Sequence, residues 1–314
     1  MNPFIQDFLH VTESAALATY PWIGTGNKIE ADQAATDAMR TLLNRIPMDG
    51  KVVIGEGEVD EAPMLFIGEK VGTGNGAGID VAVDPIDGTT STSKGKNNAI
   101  AVIAVAKEGT LLHAPDMYME KIVTGPEAAG KINIDFSLEK NLRIIAEAKG
   151  KKVEELKLII QDRERHSHWV EQAHALGVRT ELFEEGDVIP AIATCIHRSD
   201  ADLFIGIGGA PEGVLAAVGV KSLGGEMQAR LLPNTDEQWN RCVSMGLTSP
   251  NKALSHHQLV ATDECAFIAT SITGNMLLPG IENNQNAFTT HSIVLNGLDK
   301  CFRLITTEHA KPSI

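Results

Sequence analysis

The 314-residue chain has only four cysteines, Cys195, Cys242, Cys265 and Cys301, and their separations match none of the short spacings of zinc sites or thiol redox pairs. They read as reduced core or helix thiols. No apolar run reaches the roughly 20 residues of a membrane-spanning helix, and the opening MNPFIQDFLH lacks the basic stretch and apolar core of a signal peptide. Basic charge is scarce as well: 27 Lys and Arg stand against 41 Asp and Glu, a formal net charge of -14. A chain of that sign repels nucleic acid and anionic membrane surfaces, which excludes both as general partners. Internal repeats and low-complexity tracts are absent too. What remains is a cytoplasmic globular protein, 43% hydrophobic and long enough for one large domain or two ordinary ones. An anionic small molecule could bind only through cations or a local basic pocket.

The order of patterns suggests two domains, 1–135 and 136–314. In the first, amphipathic helices are expected at 4–20, with Thr12 and Glu13 on the solvated side, and at about 31–45, with Asp32 in the first turn. Strands follow at 52–56 and 79–83, a β-hairpin at 98–106 and 110–114, and another strand after Pro115. Clustered strands after two helices indicate an α+β domain. From Ser137 strands alternate with helices: strands at 156–161, 178–183 and 203–207, helices at 138–149, 167–176 and 214–223. That alternation signals a three-layer α/β domain with a largely parallel sheet, so the overall class is α/β. The histidines of HSH, His166 and His168, read as surface residues.

The chemistry gathers at GIDVAVDPIDGTT, residues 78–90. Ile79, Val81 and Val83 alternate with Asp80, Ala82 and Asp84 as in a strand with one buried face. Pro85 holds Asp84 extended, and Asp87 follows three residues later in a turn closed by Gly88. Two adjacent carboxylates repel unless a proton or cation intervenes. All the donors, including the Thr89 hydroxyl, are hard oxygens, so the cation favoured is Mg²⁺ or Mn²⁺. An ordinary Asx-rich turn fits this stretch equally well. Further acids sit at other element ends: Asp32, Glu56 in GEGEVDEAP, and Glu212 in GIGGAPEG, whose helix-start amides also suit a phosphate. Five acids at element ends suit two or three divalent ions. The Gly-rich GTGNGAG precedes a strand instead of following one, so it is a connection and not a dinucleotide loop.

DPIDGT resembles the signature of the lithium-sensitive, metal-dependent phosphatases that include inositol monophosphatases. Around it VTESAALA, VVIGEGEVDEAPMLFIGEKVG, HAPDMYMEK and IGGAPEG closely resemble the class II fructose-1,6-bisphosphatases of bacteria. The resemblance runs from about Val11 to Arg230 and implies a layered sugar-phosphatase sandwich, a gluconeogenic activity and a homodimer or homotetramer. By motif it implies metal ligands Asp32, Glu56, Asp84, Asp87 and Glu212, and Thr89 as the residue that orients the attacking water. It implies substrate contacts from Asp87, Gly88, Thr89, Tyr118, Arg163, Glu164, Arg165, Glu185, Gly186, Asp187 and Gly209. Three departures stand out: Asp87 replaces the family's Glu, Arg163–Glu164–Arg165 replaces Lys-Pro-Arg, and Glu185–Gly186–Asp187 replaces Asp-Gly-Asp. They bear on substrate specificity, not on reaction type. Inositol phosphates and sedoheptulose 1,7-bisphosphate are alternative substrates, and a non-catalytic sugar-phosphate sensor is the reading from another class.

Overall fold

The computed structural model describes residues 4–55 and 64–311. The chain opens with α1 (Ile5–Thr19), α2 (Lys28–Leu43), β1 (Asp49–Ile54), β2 (Lys70–Val71), β3 (Gly78–Asp87), α3 (Thr89–Ser93) and β4 (Ile100–Lys107). A second stretch carries β5 (Tyr118–Thr124), α4 (Leu138–Lys149), β6 (Lys157–Gln161), α5 (Ser167–Ala175), β7 (Arg179–Phe183) and α6 (Val188–Ala193). It continues with β8 (Leu203–Gly209), α7 (Ala210–Ser222), β9 (Glu226–Leu231), α8 (Asp236–Ser244) and α9 (His256–Leu259). The tail adds β10 (Cys265–Ser271), β11 (Glu282–Asn283), β12 (Ala287–Asn296) and β13 (Cys301–Ala310). Among the described residues no helix is long and apolar enough to cross a membrane.

Two compact units result, Met1–Thr110 with Glu264–Ile314, and Leu111–Asp263. This division differs from a boundary at residue 135, because the strands decide it. β5 pairs with β8 and β9, which takes it into the second unit, while β10 pairs with β4 and returns the tail to the first. The expected hairpin at 98–114 does not form either: β4 lies between β3 and β10, and Leu111 makes only an isolated bridge to Val260.

The first unit holds an eight-stranded sheet in the order β11-β12-β10-β4-β3-β1-β2, with β13 on β12. Phe8, Val11 and Ala15 of α1 and Ala31, Ala35, Met39 and Leu43 of α2 form one core with Val81 and Val83 of β3, Val105 of β4 and Ile268 of β10. Each fully buried aliphatic side chain contributes about 1.5–3 kcal/mol, so this face of β3 is firmly seated. Thr12 and Glu13 are buried, contrary to a solvated placement. Thr12 Oγ1 lies 2.8 Å from Thr270 Oγ1, which lies 2.8 Å from Ser292 Oγ, and Glu13 accepts from Thr290 at 3.4 Å. The hydroxyls of β10 and β12 supply the partners that α1 would otherwise have found in water.

The second unit is a three-layer α/β arrangement. Its sheet runs β7-β6-β8-β5-β9, with β6 parallel to β7 and β8, and β5 antiparallel to β8 and β9. Leu142, Ile145 and Ala146 of α4 and Ala173 of α5 cover one face through Leu158, Ile160 and Ile205. On the other, Gly213 of α7 sits so close to β5 that a Cβ would lie 2.5 Å from Met119 Sδ. Gly150, at φ 63°, closes α4, and Thr235 Oγ1 caps α8 by accepting the Gln238 N–H.

His166 is 1% exposed, not a surface residue. Its Nδ1 lies 2.8 Å from the Gln161 carbonyl, which can only accept, and its Nε2 accepts the Ile207 N–H at 2.9 Å. The neutral ring with the proton on Nδ1 thus ties β6 to β8. Burial lowers its pKa from the ordinary 6.5. The unfolded chain then binds that proton more tightly, so the stability His166 contributes is full above pH 6.5 and drains away as pH falls below it. Chemical denaturation at about pH 7.5 and about pH 5.5 should show a smaller acid-side loss for His166→Gln than for the wild type. An equal loss would remove His166 from the pH dependence.

Candidate active site

In the first unit the site is built at the end of β3. Asp84 lies opposite Val102 and Asp87 opposite Ile100, so β3 takes three steps where β4 takes two. Such a bulge suits Pro85, which has no N–H to give to the ladder. Asp84 Oδ1 accepts the Ile86 N–H at 2.9 Å, which fixes the turn. Asp84 and Asp87 are 4% and 5% exposed, and each presents a carboxylate oxygen within 4.8 Å of the other's. Gly88, at φ 96°, then turns the chain into α3; a Cβ there would stand 2.8 Å from the Asn98 carbonyl. Thr89 opens α3, and its hydroxyl reaches the Ile86 carbonyl at 3.1 Å and Asp32 Oδ1 at 3.3 Å.

Asp32 comes from α2. Burial pushes its carboxyl up to about 6, against the opposing Thr89 hydrogen bond and Lys28 charge. Lys28 also donates to Thr90 Oγ1. Neither Lys28 nor Thr90 stood out in the sequence, although both flank recognised positions. Asp80, the other acid of β3, is buried and accepts the Thr110 N–H at 2.9 Å, which is a structural task. Glu56 and its neighbours Glu58, Asp60 and Glu61 lie outside the described residues. The donor set fits a hard divalent cation: two buried carboxylates side by side repel, and all the ligand atoms are oxygen.

The second unit gathers its polar residues at the carboxyl end of β8, where ligands of such sheets bind. α7 begins at Ala210, four residues earlier than the expected 214, and this puts Glu212 in its first turn. Gly209 leaves room for it, since a Cβ there would be 2.0 Å from Glu212 Oε2. Lys121 of β5, 1% exposed, reaches Asp187 Oδ2 at 2.5 Å and the Gly209 carbonyl at 2.8 Å. Asp187 Oδ1 and Glu212 Oε2 are buried and find no hydrogen-bond partner among the described residues. Burial and then the Asp187 charge raise the Glu212 pKa, with Lys121 opposing. Lys121 escaped notice inside MYMEK, though its inward position between Met119 and Val123 is a signal that alternation offers.

Arg165 donates through Nε and Nη2 to the Ile207 carbonyl at 3.1 and 2.7 Å, and its guanidinium carbon lies 5.2 Å from the centre of the half-exposed Tyr118 ring. Arg163 is turned to the neighbouring Asp162 carbonyl at 2.9 Å. Tyr118 stands opposite Gly209 in the sheet. Glu164 is exposed, while Glu185 and Gly186 lie in the turn before Asp187.

The family model for bacterial, glpX-encoded fructose-1,6-bisphosphatase matches residues 2–309. The chain belongs to this family. It is 45% identical to fructose-1,6-bisphosphatase 1 class 2 of Escherichia coli K12 over 96% of this chain and 94% of the relative. Identity to the class 2 enzyme of Haemophilus influenzae is also 45%, over 96% and 95%. The second class 2 enzyme of E. coli K12 is 42% identical over 95% and 97%.

Removing Lys121 leaves the Asp187 carboxylate, and Glu212 near it, without a buried counter-charge. Lys121→Met should therefore destabilise the protein by roughly 3–5 kcal/mol. Adding Asp187→Asn should recover part of that loss in urea denaturation. A double variant no more stable than the single one would show that the pair is not coupled.

Proposed function

We propose that this protein hydrolyses the 1-phosphate of fructose 1,6-bisphosphate, releasing fructose 6-phosphate and phosphate in gluconeogenesis. The observation that carries the reading is the buried Asp84–Asp87 pair with the Thr89 hydroxyl bonded to Asp32 beside it. Asp32, Glu56, Asp84, Asp87 and Glu212 are the proposed ligands of two or three Mn²⁺ or Mg²⁺ ions. Bound there, the ions supply a more acidic water and neutralise phosphate charge. Thr89 Oγ1 orients the water for in-line attack and passes hydrogen-bond polarisation to Asp32, since a threonine hydroxyl is too weak a base alone. Gly88 and Thr89 present the loop to the transferred phosphate. Arg163 and Arg165 hold the distal phosphate with the planar fork that suits its oxygens, and Tyr118, Glu164, Glu185, Gly186, Asp187 and Gly209 complete the sugar-phosphate contacts. The cytoplasm is the proposed compartment, a homodimer or homotetramer the proposed assembly, and the inositol monophosphatase-like proteins the proposed wider superfamily.

Asp87 and the Arg163–Arg165 segment favour a second reading, in which an inositol phosphate or sedoheptulose 1,7-bisphosphate is the better substrate. Phosphate release measured across these substrates with Mn²⁺ and Mg²⁺ varied should give the highest kcat/KM for fructose 1,6-bisphosphate. Release from none of them with any divalent ion, together with calorimetric binding, would make the protein a sugar-phosphate sensor. Thr89→Ala should lower kcat by about 10²–10⁴ while metal binding stays near wild type. Unchanged turnover would take Thr89 out of the mechanism.

A further inference from the structure

The two ends of β8 differ in chemistry. Its carboxyl end carries Gly209 and runs into Glu212, while its amino end follows directly on Asp202. At roughly 3.3 Å per residue, the ends stand about 20 Å apart. A recess of about 210 Å³ opens at the amino end, with Glu127, Lys149, Lys151, Cys195, Ser199 and Asp202 in its lining. One water needs only about 10–15 Å³ of such space, so a molecule of several heavy atoms fits.

Asp202 is the centre of this recess. It is 1% exposed, its Oδ2 accepts the Lys157 N–H at 2.9 Å, and its Oδ1 accepts from Lys149 Nζ at 2.8 Å and Lys151 Nζ at 2.7 Å. Its backbone is held too: the N–H donates to the Lys157 carbonyl at 2.9 Å, and the carbonyl accepts from Thr124 Oγ1 at 3.2 Å. Two ammonium groups therefore share one carboxylate oxygen. Each has three protons and places one there, which leaves donors to spare and one positive charge in excess. The Lys149 side chain is 11% exposed, so water reaches little of that excess, and a buried charge calls for a counter-charge. The Cys195 thiol, pushed up to about 12 by burial, stays protonated and adds no negative charge. Ser199 Oγ accepts the Ala201 N–H at 3.2 Å and keeps its own proton to give. Glu127 is the opposing charge in the lining, and it is exposed, where solvent screens it.

We propose that this recess binds a small oxyanion, a phosphate or carboxylate group seated on Lys149 and Lys151. A salt bridge whose task is to tie α4 to β8 needs one lysine, because Lys149 alone neutralises Asp202. The second lysine is what turns the tie into a receptor. Asp202 holds both ammonium groups in place beforehand, so little side-chain freedom is lost when the anion arrives. In a chain of net charge -14 the recess is a local exception, and it gives an anion a place to bind far from the Gly209–Glu212 turn. The site is independent of the catalytic reading.

The test is hydrogen exchange of the full chain with and without millimolar inorganic phosphate or millimolar malate. An anion in the recess should slow exchange across 194–202. Slowing by phosphate alone assigns a phosphoryl ligand, by malate alone a carboxylate, and by both an anion chosen on charge. Slowing confined to the carboxyl end of β8, or none at all, overturns the proposal. Lys151→Met leaves Asp202 paired with Lys149, so the tie to α4 survives, and the affinity read from the slowing should fall about tenfold or more. Lys151→Arg should restore most of it, and Glu127→Gln, which removes the opposing charge, should tighten binding. A folded Lys151→Met protein with wild-type affinity would show that the lysines are a structural tie and no receptor.

Discussion

Repulsion between two carboxylates held side by side in a buried place is the constraint on which the first unit depends. Asp84 and Asp87 stand at the end of β3, a strand flanked by β1 and β4 and covered by α1 and α2. Such a pair is unstable as two bare charges, and the bulge at Pro85 brings them close. Every surrounding feature, from the left-handed Gly88 to the aliphatic seat of Val81 and Val83, keeps the pair from relaxing apart. The folded chain thereby presents the oxygen donors that suit a hard cation as a property of its backbone path.

The second unit meets the same electrostatic problem with a different answer. Burial and the Asp187 charge both raise the proton affinity of Glu212, and Lys121 lies within the sheet, paired with Asp187, to offset them. Buried ion pairs of this kind add little net stability over an apolar replacement, yet losing one partner is costly. Lys121 is thus tied to the polar end of β8 more tightly than its place in a strand suggests.

Local pattern revealed much of this. Alternation located β3, strand pattern located β5 and β6, and the glycine after α4 marked its end, because these signals depend on neighbours in sequence. That Asp84 and Asp87 reach one place at the end of β3 was legible from the order of residues in DPIDGT. The pairing of β4 with β10 in place of a hairpin was not, since it joins positions far apart in the chain. His166 looked like a surface residue because its partners, Gln161 and Ile207, lie on two strands that only the sheet brings together. Thr12 and Glu13 were polar on a helix, and only the hydroxyls of β10 and β12 explain their burial. β13 was invisible to pattern because its partly exposed face mixes Thr, Glu and Leu without a clean alternation.

The discontinuity of the first unit sets the order in which the molecule can be completed. Leu111–Asp263 is contiguous, so its contacts become available as that stretch leaves the ribosome. The sheet holding Asp84 and Asp87 must wait for Cys265–Ser271 to close on β4, a pairing that joins Ala106 to Cys265 across the whole second unit. Long-range pairing of that kind is slow, because the loop entropy is lost before the contact forms. During synthesis the acidic pair therefore remains on an unfinished sheet until Cys265–Ser271 has been made, and a chain truncated before β10 lacks the strand that seats β4.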